Sequence, residues 1–189
     1  MKIIHTPFVL IGNNVALDFI NTEIVIRGQL TDLLQECDDL VSWAKSVDLA
    51  LGPEIKPSEL AQAKELRKAL KDACLATINN AVAPQNTLAA INRYLVSYAN
   101  PLVLSFSDKE YILKPKQRTL TVSMLLSLLA YQSATLLAST QAKKLKRCGN
   151  SDCVLLFLDT SRNQQRRWCS METCGNRAKA SNHYRKSLP

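Results

Sequence analysis

Four cysteines in the last third of the chain fall into two close pairs, Cys148-x4-Cys153 and Cys169-x4-Cys174, with fifteen residues between the pairs. Two pairs separated by a stretch long enough to fold back are how a four-thiolate zinc site is assembled. Each pair sits on a tight turn, and the chain between them closes a tetrahedron with Zn–S distances of about 2.3 Å. The gap of four within each pair is longer than the common gap of two. Paired disulfides would use the same residues in an oxidising compartment, but the start of the chain, Met1-Lys-Ile-Ile-His-Thr-Pro7, has no apolar run with a small-residue cleavage site. An iron–sulfur cluster would accept the same ligands, usually at other spacings. The expectation is one structural Zn2+ on Cys148, Cys153, Cys169 and Cys174, with no open coordination position for catalysis. Cys37 and Cys74 stand alone in helix-forming stretches and read as packing residues.

Charge is concentrated in the same region. Residues 1–140 carry 13 Lys/Arg and 13 Asp/Glu, whereas residues 141–189 carry 11 and 3, so the whole net charge of +8 lies in the cysteine-bearing segment. Such a field attracts polyanions and releases their counterions. The candidate nucleic-acid contacts are Arg162, Asn163, Arg166, Arg167, Arg177, Lys179, His183, Arg185 and Lys186. Arginine and lysine neutralise phosphates, whereas sequence is read at base edges, for which Arg162, Asn163, Asn182 and His183 have suitable side chains. Asn176 and Arg177 have a competing use as hydrogen-bond supports of the metal turn. Trp168 reads either as a base-stacking surface or as part of a small core. Double-stranded DNA is the leading partner; the alternatives are RNA, which exposed aromatics on this unit would favour, and a finger for protein contacts attached to a small-molecule-binding or enzymatic domain.

Between the pairs, Val154-Leu-Leu-Phe-Leu158 reads as a strand, Asp159–Gln165 as a polar turn, and Arg166–Cys169 as a returning strand. Ser170 is placed to cap a helix carrying Cys174, Ala178, Lys179, Ala180 and Tyr184. Knuckle, hairpin and helix in this order resemble a treble-clef zinc finger. A unit this small needs the metal, because burial alone cannot hold it. Cys174-Gly-Asn-Arg177 resembles the signature of the CGNR zinc finger family, together with Phe157-Leu-Asp159, Ser161-Arg-Asn163, Arg166-Arg-Trp-Cys-Ser-Met171 and Arg177-Ala-Lys179. Val154-Leu155 departs from that pattern, in packing positions and not in ligands. The N-terminal part is similar to the ABATE domain, through Val15-Ala-Leu-Asp-Phe-Ile-Asn-Thr22, Asp32-Leu-Leu34 and Asp39-Leu-Val-Ser-Trp43. The two resemblances imply a bacterial, cytoplasmic DNA-binding regulator of transcription.

The elements that must carry this unit are read as a separate domain, residues 1–142, with the finger as residues 143–189. Phe8–Gly12 and Val15–Ile20 read as strands joined at Gly12-Asn13-Asn14. Thr31 or Asp32 is a cap for a helix with apolar residues at Leu33, Leu34, Cys37, Leu40, Val41, Ala44 and Val47. Further helices follow Pro57 and Pro84. Leu102–Phe106 and Tyr111–Leu113 read as a hairpin, and a long apolar helix runs to about Lys143. The fold class expected is α+β: a mainly helical N-terminal domain with a small antiparallel sheet, plus a C-terminal treble-clef-like zinc finger. Thr119–Gln141 has no charge, but ten of its 23 residues are Ser, Thr or Gln, so it reads as a buried helix and not a membrane span.

Catalytic chemistry is hard to find. There is no Gly-rich phosphate loop and no nucleophile elbow, and the two histidines, His5 and His183, lie far apart in the sequence. The chain is therefore expected not to be an enzyme. Asp18, Asn21, Thr22 and Arg27 form the most polar patch in an apolar context. They read either as an effector-binding pocket mouth, giving a small-molecule-sensing N-terminal domain, or as caps and turns that satisfy local backbone. One finger covers limited DNA surface, which favours a homodimer, although no dimer surface stands out from the sequence.

Overall fold

The structure is a computed structural model and describes residues 8–98, 102–115 and 119–180. The first regular element among the described residues is a helix, α1 (Val15–Ile20), and not the expected strand. Asn14 decides this: its side chain accepts the amides of Ala16 at 2.9 Å and Leu17 at 3.3 Å and so caps a helix. Asn13, at φ 57°, has already broken the extended path of Phe8–Gly12, which forms no ladder of its own.

A hairpin that the sequence reading did not include follows, β1 (Glu23–Ile26) against β2 (Gln29–Asp32). Its two-residue turn is Arg27-Gly28, at φ 51° and 81°, the left-handed geometry that matches the twist of a tight hairpin. Asp32 thus ends a strand, and α2 (Cys37–Ser46) begins later, where Asp39 accepts the amide of Glu36 at 2.8 Å. Helices α3 (Pro57–Ile78) and α4 (Gln85–Leu95) start at the expected prolines, and the hairpin of β3 (Leu102–Ser107) and β4 (Glu110–Pro115) lies where expected. Helix α5 (Val122–Leu137), capped by Thr121, stops short of Lys143 and gives way to a 3-10 turn, Thr140–Lys144. Helices α1, α3, α4 and α5 pack into one core with the α2 residues Leu40, Trp43 and Ala44. Phe19 meets the Trp43 ring edge-on at 4.8 Å. Cys74 is buried in this core, and burial pushes its thiol up to about 12, so it is an inert packing group.

The chain then forms β5 (Leu145–Arg147), antiparallel to β6 (Leu156–Leu158). This pairing replaces the expected hairpin of β6 with residues 166–169. Leu145, Leu156 and Leu158 enter the helical core, while Leu155 and Phe157 enter a second cluster with the four cysteines. The period of two along a strand lets one short segment serve both.

Two polar devices hold this junction, one of them from the expected effector patch. The Asn21 carboxamide is buried; its Nδ2 donates to the Leu156 carbonyl at 2.8 Å and its Oδ1 accepts the Leu156 amide at 2.9 Å. The amide of Leu158 donates to the Gly12 carbonyl at 2.9 Å, and Asn13 Nδ2 donates to the Leu158 carbonyl at 3.1 Å. Thr22 serves a different anchor. Arg67 of α3, only 3% exposed, donates to Thr22 Oγ1 at 2.7 Å and to both Asp32 oxygens at 2.7 and 2.8 Å. A buried guanidinium is tolerable because these acceptors replace water.

Two outcomes follow from these contacts. Asn21→Leu keeps the branched shape but orphans the amide and carbonyl of Leu156, at a cost of about 1–3 kcal/mol for each group. Urea unfolding of the zinc-loaded chain should show a markedly lower midpoint. For Asp32, burial opposes ionisation, but the Arg67 bonds, the Leu34 amide and Lys64 outweigh it and bring the carboxyl from 3.8 down to about 2. A depressed carboxylate stabilises the fold fully above its unfolded value and loses that contribution as pH falls toward its folded value. The stability gap between wild type and Asp32→Asn should therefore be full at pH 5 and shrink between about pH 4 and 2. An unchanged gap across that window would exclude this role.

Candidate metal centre and nucleic-acid interface

All four cysteines of the two pairs are buried, and their sulfurs lie within 4.8 Å of one another. The Sγ–Sγ distances are 3.8 Å for Cys153–Cys169 and 3.5 Å for Cys169–Cys174. A tetrahedral zinc with four sulfurs at about 2.3 Å requires edges of about 3.8 Å. The donor set is soft, closed and of the right size, and it fits one structural Zn2+.

Local backbone makes the convergence. Cys148 follows β5, and its turn is closed by the Cys153 amide, which donates to the Asn150 carbonyl at 3.0 Å, and by Asn150 Oδ1, which accepts the Asp152 amide at 3.0 Å. The amide of Gly149 donates to the Arg167 carbonyl at 2.8 Å and ties this turn to the second one. The Cys169 amide donates to the Cys148 sulfur at 3.4 Å. Ser170 caps the following turn, as expected, by accepting the Thr173 amide at 3.4 Å. Cys174 sits in one wide π turn, Met171–Gly175, after which residues 176–180 are α-helical. A side chain at Gly175 would meet the Met171 sulfur at 2.8 Å and the Trp168 ring at 3.3 Å, so the Met171 side chain would have to swing aside to admit one. Electrostatics fit as well. Contact with Cys148, then Cys153, together with burial, pushes the Cys169 thiol up, because a further negative sulfur there is costly. A bound dication inverts that cost and favours thiolates.

The loop between the strands and the second turn depends on Asp159, which the sequence reading named only as part of the family pattern and of the polar turn. It is fully buried and accepts Lys146 Nζ at 2.7 Å, the Ser161 amide and hydroxyl at 3.0 and 2.6 Å, and the Arg166 amide at 2.9 Å. Burial opposes its charge, but these donors prevail and hold its carboxyl well below the usual range. An acid ending an apolar run within an otherwise basic segment was the available signal.

Arg162, Asn163, Arg167, Arg177 and Lys179 are exposed. Arg166 is not free. Its guanidinium lies over the Phe157 ring at 4.4 Å and donates to the carbonyls of Trp168 and Cys169, so it braces the metal turn. Arg167 stands over the half-buried Trp168 ring at 5.3 Å. Asn176 donates to the Glu172 carbonyl at 3.1 Å within its own helix. Asn182, His183, Arg185 and Lys186 lie outside the described residues.

Among the described residues, the expected effector residues serve separate contacts. Asp18 accepts the Gly12 amide at 2.7 Å, and burial raises its pKa, with the amides of Gly12 and Ile11 opposing that rise. Asn21 and Thr22 are spent as described, and Arg27 is exposed at the β1–β2 turn. None of the four lines the cleft of about 180 Å³ that runs beside the thiols, between Ile24 and Val25 of β1 and Cys153, Thr173 and Arg177.

The zinc-loaded chain should contain one zinc per polypeptide by elemental analysis. Stripping it with a strong chelator, or making Cys169→Ser, should change Trp168 fluorescence and lower the melting temperature by about 10 °C or more. Unchanged melting after complete removal would show that the cluster needs no metal.

Comparison with known families agrees with this geometry. Residues 144–187 match the family described as CGNR zinc finger. Residues 13–140 match ABATE, described as "Putative stress-induced transcription regulator". No curated protein matches the chain. Among the described residues, no helix is long and apolar enough to cross a membrane. The second match spans more than half of the sequence and the first contains all four clustered thiols, and the chain therefore belongs to the ABATE family, with a CGNR zinc finger attached.

Proposed function

We propose that the protein is a bacterial, cytoplasmic transcription regulator that holds double-stranded DNA through its zinc-organised segment, residues 143–189, while residues 1–142 carry that segment and receive a signal. The observation that carries this reading is the disposition of charge. Lys143, Arg147, Arg162, Arg167, Arg177 and Lys179 are exposed, whereas Asp159 is buried and neutralised by Lys146. Only two exposed acids, Asp152 and Glu172, oppose them among the described residues of this segment. Fixed cations on a metal-braced scaffold neutralise phosphates without first having to be ordered.

Duplex DNA is favoured over RNA because the described aromatics of the segment are not free to stack on bases. Phe157 is buried under Arg166, and Trp168 is half-buried under Arg167. Binding is favoured over catalysis because four thiolates close the metal's coordination shell. A small-molecule input fits the cleft beside the thiols better than it fits Asp18, Asn21, Thr22 and Arg27, since a ligand there would touch both β1 and the metal turn.

The test is binding to random duplex DNA over a range of salt. The affinity should fall linearly on a log–log plot, with a slope near −0.9 per phosphate neutralised. Arg162→Ala and Arg167→Ala should each reduce the slope by about 0.9. Arg166→Ala should instead lower stability. Cys174→Ser should abolish binding. Salt-independent binding, or tighter binding to a single-stranded RNA of the same length, would overturn the reading.

A further inference from the structure

The β3–β4 hairpin has two unlike faces. Register places Leu104 opposite Leu113 and Phe106 opposite Tyr111, so these four share one face; Val103 opposite Lys114, Ser105 opposite Ile112 and Ser107 opposite Glu110 share the other, which mixes apolar, hydroxyl and charged positions. On the apolar face, Leu104 is 62%, Phe106 64%, Tyr111 76% and Leu113 61% exposed, and the two rings lie 4.9 Å apart. Among the described residues, the hydrogen bonds of this hairpin run only within it. The β1–β2 hairpin differs in this respect, because Arg67 and Lys71 tie it to α3. A two-stranded hairpin with nothing on its apolar face is marginal in water and is stabilised by a further layer.

We propose that this hairpin is a self-association arm, on which the Leu104–Phe106–Tyr111–Leu113 face packs against the same face of a second copy of the chain. Two properties select a second copy. First, the face holds no charged residue, so it offers nothing to select a charged partner, and it complements itself. A two-fold axis across it sets the aromatic end of one hairpin, near the turn, on the leucine end of the other. Such an isologous contact closes after two copies. Second, the area is that of a weak, reversible dimer. With about 200 Å² for each aromatic and somewhat less for each leucine, the exposed fractions leave on the order of 450 Å² per face. Two copies then bury about 900 Å², close to the roughly 1,000 Å² at which specific interfaces begin. The result is a small four-stranded sandwich with the Ser105–Ser107 side toward water, and a dimer of micromolar strength. The use of this dimer, two basic segments on one duplex, rests on the DNA-binding reading; the dimer itself does not.

Sedimentation velocity of the zinc-loaded full chain without DNA, from about 1 to 100 µM, tests the proposal. The expected result is a monomer–dimer equilibrium within that range. Leu104→Glu and Tyr111→Lys should each weaken it at least about tenfold with an unchanged melting temperature, while Ser105→Lys, on the opposite face, should leave it intact. A wild type that stays monomeric throughout overturns the proposal, and so does a dimer that survives both face variants or is lost equally in Ser105→Lys. A monomer that co-floats with phosphatidylcholine vesicles overturns it in favour of a lipid surface. A dimer that fails to bind DNA leaves this inference standing and removes only the proposed function.

Discussion

Four consecutive residues, Leu155 and the three of β6, join everything else in the molecule. Leu156 and Leu158 point into the helical core, and Leu155 and Phe157 point into the cluster around the thiols. No strand of this length could hold both sides by its own ladder, which has only the three pairs made with β5. The Asn21 carboxamide therefore takes the place of a neighbouring strand at Leu156, and Gly12 does the same at Leu158. The α1 region of the ABATE segment thus sets the height and orientation of the metal turns. Val9, Ile11 and Ile24 complete the contact by packing against the thiol cluster.

Buried charge follows one logic at two distant places. Arg67 is surrounded by Thr22, Asp32 and Glu23, and Asp159 by Lys146, Ser161 and the Arg166 amide. Each is a single ion surrounded by donors or acceptors from separate segments, so each fixes a geometry that apolar packing alone would leave loose. The same principle divides the arginines of the basic segment. Arg166 is committed to carbonyls and to the Phe157 ring, whereas Arg162 and Arg177 remain in water. Charge counted from sequence measures the field, but only the fold shows which cations are free to meet a ligand.

What was legible in the sequence was local. The cysteine spacing, the Ser170 cap, the prolines that open α3 and α4, and the β3–β4 turn each depend on residues a few positions apart. The errors came where a distant partner decides. Val15–Ile20 is the one local exception: it is apolar at nearly every position, so its pattern suits strand or helix, and the adjacent Asn14 cap decides it. The β1–β2 hairpin is four residues a side with polar ends, too short to show a period of two, and it is stabilised by Arg67 from α3. The partner of β6 proved to be β5 because Lys144 and Lys146 both reach Asp159, contacts invisible in either stretch alone. Asp18, Asn21 and Thr22 stood out correctly as polar groups in apolar surroundings; their partners are backbone and arginine within the chain.

Because β6 has an apolar residue on each side, the metal-binding segment is not a portable cassette. Cut at residue 143 and moved to another protein, it would carry Leu145, Leu156 and Leu158 into water, along with the Leu156 amide and carbonyl that Asn21 now satisfies. A recombination event that preserved every thiol and every arginine would still yield a sticky fragment unless the new host supplied a carboxamide and an apolar wall in the same places. A cut between the two segments therefore costs both of them their packing, and a lost Asn21 carboxamide cannot be replaced by changing a side chain in β6, because its partners there are main-chain atoms.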